Sequence, residues 1–140
     1  MSYIEILLTT FLTVISGTLV FILGQIVMKI SIGPFERLLD TISKIEDSLI
    51  FYANVYCNPG LNPDACKEAS KTLRSLSTQL ISRANSVTGY SVFEKLNLLP
   101  KKMNLAEAHK EMIGLSNSMF TGDPLKNDEK RDKILKLINV

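Results

Sequence analysis

The chain has 140 residues, 46% of them hydrophobic and none of them Trp, and its sixteen basic and fourteen acidic residues leave a net charge of +2. From Ile30 onward fifteen basic residues face thirteen acidic ones. No basic surplus of the kind that marks a nucleic-acid face is present, and no nucleic-acid partner is expected. One histidine and two cysteines exclude a His-rich or Cys-x-x-Cys metal site within the chain. A Gly-rich phosphate loop, His-Glu-x-x-His and a nucleophile elbow are all missing. The sequence therefore implies no cofactor and no catalytic residue.

The apolar residues crowd the start. Ile6 to Met28, between Glu5 and Lys29, are twenty-three consecutive positions without a charge. As a helix, that run reaches across a hydrocarbon core of about 30 Å. A buried core helix seldom extends so far uncharged. A cleaved signal peptide would show a positive n-region and an Ala-x-Ala site, and neither occurs around Met1–Glu5 or after the run. The reading is a retained transmembrane anchor over residues 1–30 and a soluble helical bundle over 31–140. Lys29, Arg37 and Lys44 follow the span, whereas no Lys or Arg precedes it. The positive-inside rule then places the N-terminus out and the bundle in the cytoplasm, at the inner (cytoplasmic) membrane.

Within the span, Thr10, Thr13, Gly17 and Gly24 fall close to one helical face. Small residues let two backbones approach, so self-association is expected along this stripe. Gln25 lies near the cytoplasmic end, within reach of a neighbouring helix or headgroup water.

Gly33-Pro34 marks the exit from the membrane, with Pro suited to a first helical turn. Phe35, Leu38, Ile42, Ile45, Leu49, Tyr52 and Tyr56 then recur at steps of three and four, predicting one amphipathic helix of about six turns. Asn58-Pro59-Gly60 stops it. Asn62-Pro63 caps a second long helix with a stripe from Ala65 to Val87, closed by Gly89. The short link between the two predicts an antiparallel hairpin. A short helix around Val92, Phe93 and Leu96 ends at Pro100, and Asn104 with Glu107 forms a capping-box-like start for the next helix, which Gly122 closes. Asp123-Pro124 caps the last segment, in which Lys126–Lys133 reads as a solvated face. The fold class expected is all-α: one transmembrane helix followed by a four- to five-helix bundle.

Leu39, Ile50, Phe51 and Val55 widen the stripe of the first bundle helix. Another subunit, the short and last helices, or the bilayer surface would each cover that edge. Cys57 and Cys66 flank the hairpin loop and should stay reduced in the cytoplasm, whereas an inverted topology would allow a disulfide. Asn54, Arg74, Arg83, Asn85, Ser116 and Asn117 are polar residues at positions expected to be buried, and His109 reads as a surface residue. Arg74, Arg83 and Asn117 are the candidate ligand-binding set. Arginines hold phosphate bidentately, so the ligand would be anionic and nucleotide-like.

Gly24-Gln25, Phe51-Tyr52-Ala53-Asn54 with Tyr56 and Asn58-Pro59-Gly60, Ser70-Lys71-x-Leu73-Arg74 leading to Arg83-Ala84, and Gly114-Leu115-Ser116-Asn117-Ser118 resemble the pattern of a family of small bacterial single-span membrane proteins of uncharacterised function. The architecture is also loosely similar to CRISPR-associated membrane effectors that join a transmembrane helix to a HEPN-type helical domain. Their ribonuclease motif, Arg-x(4–6)-His, is absent: no Arg stands at that spacing upstream of His109. The resemblance thus implies a defence effector acting by assembly, not a ribonuclease. The function expected is association at the membrane, with itself or with a membrane-protein partner, as an effector or scaffold subunit. The alternative is a membrane-tethered sensor of a small anionic ligand, and no enzyme activity is expected.

Overall fold

The structure, a computed structural model, describes residues 2–139. It is all-α, with no strand among the described residues. Helix α1 (Tyr3–Val27), a π-helical turn (Met28–Ile32) and α2 (Gly33–Phe51) run on as one helix. Its 49 residues span about 74 Å. The expected break at Gly33-Pro34 is not made. Pro34 has no N–H, and its ring would press on the carbonyl one turn back. The extra residue of the π turn widens the coil there, with the Gly33 N–H reaching Met28 O, and the helix carries through.

The long first bundle helix does break, at Tyr52, whose backbone leaves the helical region. A short α3 (Ala53–Cys57) follows. Tyr56 is thereby buried, and its hydroxyl donates to Leu49 O at 2.9 Å. Helix α4 (Pro63–Ser86) starts as read, the Asn62 side chain accepting from the Ala65 N–H at 3.1 Å. Two contacts show that it runs back along α2: Tyr52 Oη to Glu68 Oε1 at 3.3 Å, and Arg83 Nη1 to Arg37 O at 2.8 Å.

Gly89, at φ +74°, turns the chain into α5 (Tyr90–Lys95). This short helix ends in a Schellman motif: the Leu98 N–H bonds Phe93 O, the Asn97 N–H bonds Glu94 O, and Asn97 sits at φ +54°. Helix α6 (Lys102–Asn117) begins two residues before the Asn104 start read from sequence. Asn104 is therefore inside the helix, and Glu107 pairs with Lys133 at 2.7 Å instead of capping. Helix α7 (Pro124–Ile138) is capped by Asp123, which accepts from the Leu125 N–H at 2.9 Å.

Helices α2, α4, α6 and α7 pack in that order, and α7 returns against α3. The shared core includes Leu38, Ile45, Leu49, Leu73, Leu80, Leu105, Met112, Leu115 and Ile134, all fully buried. Since α2 leads away from α1 and α4 returns, the segment between α4 and α6 lies at the end near α1. The α3–α4 and α6–α7 connections meet at the far end, where the Gly60 N–H bonds Met119 O at 3.1 Å. The second edge of α2 stays open: Leu39, Ile50 and Phe51 are exposed and neither α5 nor α7 covers them.

Candidate functional site

No residue of α1 is buried. Its hydroxyls turn back on their own helix: Thr10 Oγ1 donates to Ile6 O at 2.8 Å, Thr13 Oγ1 to Thr9 O at 2.8 Å, and Thr18 Oγ1 to Val14 O at 2.9 Å. Each Ser and Thr hydroxyl of α1 has a backbone acceptor on its own helix, and the methyl groups complete an apolar surface. Gly17 and Gly24 have nothing within 4 Å of where a Cβ would lie. Thr10, Thr13, Gly17 and Gly24 thus form a shallow open track on an exposed apolar helix.

The three ligand candidates separate into two places. Arg74 is exposed, and its Nη2 donates to Asn117 Oδ1 across the α4–α6 seam. Arg83 faces the other way, because nine residues along a helix turn a side chain by about 180°. Its Nη1 lies 2.8 Å from Arg37 O, 2.6 Å from Thr41 Oγ1 and 3.1 Å from Asp40 Oδ2. That guanidinium clasps α4 to α2. Arg83→Ala is expected to lower stability by about 1–2 kcal/mol in a denaturation curve, with a non-additive Asp40→Ala partner.

The polar residues expected inside are mostly outside. Asn54, Arg74, Asn85 and Asn117 are exposed, Arg83 is half-buried, and of the six only Ser116 is buried. The buried polar residues that the sequence reading missed are Thr41, Ser77 and Asn127. Ser77 Oγ lies 2.6 Å from His109 Nδ1, so His109 is turned into the α4–α6 seam and is half-buried, not a surface residue. Asn127 donates to Tyr56 O at 2.9 Å and accepts from Ser118 Oγ at 2.5 Å, tying α3, the α6–α7 turn and α7 together. It sits within the charged run read as a solvated face.

Cys57 is half-buried, Cys66 is buried, and both are free thiols. Lys44 and Arg83 beside Asp40 hold its carboxyl below the usual carboxylate range, and Lys133 does the same for Glu107. A depressed carboxyl pKa stabilises the fold above the unfolded-state value, and that contribution disappears as pH falls through the folded one. Acidification below about pH 4 should lower the melting midpoint, less steeply in an Asp40→Asn, Glu107→Gln double variant. A thermal melt series against pH checks this.

No protein-family model, curated protein or solved structure matches this chain.

Proposed function

We propose that the chain is a single-pass membrane protein, N-terminus out, whose cytoplasmic helical bundle works by association with itself or with a membrane-protein partner, as an effector or scaffold subunit. The observation that supports this best is the unbroken helix from Tyr3 to Phe51. A stretch long and apolar enough to cross a bilayer passes straight into the bundle's first core helix, with a π turn in place of a flexible linker. Pairing or tilting of α1 would therefore reposition the whole bundle. The open track of Thr10, Thr13, Gly17 and Gly24 is where two such helices would approach closest.

Disulfide crosslinking in membranes tests the reading. With Cys57 and Cys66 replaced by Ala, Thr13→Cys should give crosslinked dimers, and Ile15→Cys, on the opposite face, should not. Adding Gly17→Leu and Gly24→Leu should abolish the dimer. Monomers alone, or equal crosslinking from both faces, would refute pairing through this track.

The second reading, a membrane-tethered sensor of a small anionic ligand, rests on Arg74 beside Asn117. It expects a nucleotide or phosphate to raise the melting midpoint of the parent chain but not of an Arg74→Ala variant.

A further inference from the structure

The end of the bundle nearest α1 is closed by α5 and the segment leading to α6. Phe93 of α5 stacks on Phe35 in the first turn of α2, ring centroids 4.6 Å apart. Ser31, Ile32 and Gly33 are already half-buried, beginning three residues after the apolar run ends at Met28. With α1 in a bilayer, this base lies at the headgroup level.

On α5, Tyr90 enters the core and donates its hydroxyl to Pro100 O at 2.8 Å. The opposite side carries Val92 and Leu96, 57% and 62% exposed, and the Schellman turn adds exposed Leu98. Apolar side chains of this size are an unfavourable choice for a water-facing helix only six residues long. Lys95, Lys101 and Lys102 are exposed at the same end of the bundle, the Lys102 ammonium lying over the Tyr90 ring at 5.8 Å from its centroid. Lys95 and Lys101 also line a cleft of about 370 Å³ together with Asn97, Asn104 and Asn139. Its acidic member, Glu94, is turned toward the backbone and accepts from the Lys102 N–H at 3.3 Å. Exposed apolar residues with lysines at the same end of the bundle are the pattern of an interfacial element on an anionic surface.

We propose that the α5 face, Val92, Leu96 and Leu98 with Lys95, Lys101 and Lys102, docks on the anionic lipid surface beside α1 and fixes the bundle against the membrane. This rests on the single-pass reading above. It moves the bilayer contact considered for α2 to α5, since Phe93 covers the Phe35 end of α2.

The absence of Trp allows a direct test with single-Trp variants of the full chain in vesicles containing brominated lipids. Leu96→Trp should be quenched by bromines near the headgroups, more strongly with anionic than with zwitterionic lipid. Ile15→Trp should be quenched by bromines deep in the chains, and Leu125→Trp, at the far end, by neither. Replacing Lys95, Lys101 and Lys102 by Gln should remove the preference for anionic lipid. An unquenched Leu96→Trp beside a quenched Ile15→Trp would overturn the docking and leave the membrane span intact. An unquenched Ile15→Trp would remove the span and the docking with it. Equal quenching of Leu96→Trp and Leu125→Trp would also overturn the proposal.

Discussion

Replacing Asn127 with Ala is expected to lower the unfolding free energy of the bundle by about 2–4 kcal/mol. Its carboxamide is fully buried and makes two bonds to separate parts of the chain, Tyr56 O and Ser118 Oγ. Truncation leaves Tyr56 O, on a residue 1% exposed, without that donor. It also leaves Ser118 Oγ without Asn127 Oδ1 as its acceptor, although Leu115 O at 2.9 Å can still take that hydrogen. An unsatisfied buried acceptor costs more than the bond itself contributes, because water cannot replace the lost partner. Asp would keep the acceptor and lose the donor, so Asn127→Asp should also be destabilising. Chemical denaturation of the full chain in detergent, followed by helical circular dichroism, reads both. A loss under about 0.5 kcal/mol for Asn127→Ala would mean that the far-end joint is not held as described.

Gly60→Ala is the second large effect. Gly60 has φ +77°, and an added Cβ would come within 2.6 Å of Phe120 O, a backbone atom. Gly89 provides the comparison, with φ +74° and nothing within 4 Å of an added Cβ. Gly89→Ala should therefore lose only the conformational part, about 1 kcal/mol. Gly60→Ala should lose that plus the cost of separating two joined loops, about 2–4 kcal/mol in all. Equal losses at the two glycines would show that the loops yield freely.

These two positions also show where the sequence was legible. Gly60 stood out within Asn58-Pro59-Gly60 as a stop, and a turn is what it makes; its contact with Phe120 joins segments sixty residues apart, about which local pattern says nothing. Asn127 was masked by the charges around it. Its spacing from Ile134 and Ile138, seven and eleven residues, places it on their buried face. Thr41 and Ser77 were readable in the same way, each lying inside an apolar stripe: Leu38 and Ile45 bracket the first, Leu73 and Leu80 the second. A polar residue inside a stripe goes into the core with it, while polar residues outside the stripes, such as Asn54 and Asn85, stay exposed.

The helical caps at Asn62 and Asp123 came through because capping is local chemistry. Pro34 is not the boundary it suggests, since a π turn ending two residues upstream accommodates it. The candidate ligand residues divided for a simple geometric reason. Arg74 and Arg83 share a helix but stand half a turn out of phase, so proximity in sequence became separation in space.

The central claim is that α1 crosses the membrane and delivers the bundle to the cytoplasmic side. Its most direct test is cysteine accessibility in intact bacterial cells, with Cys57 and Cys66 replaced by Ala and single cysteines introduced as Ser2→Cys or Lys126→Cys. Both introduced positions are exposed. A membrane-impermeant maleimide should label position 2 in intact cells and position 126 only after the membrane is opened. Labelling of position 126 in intact cells, or identical labelling of the two before and after opening, would contradict the account.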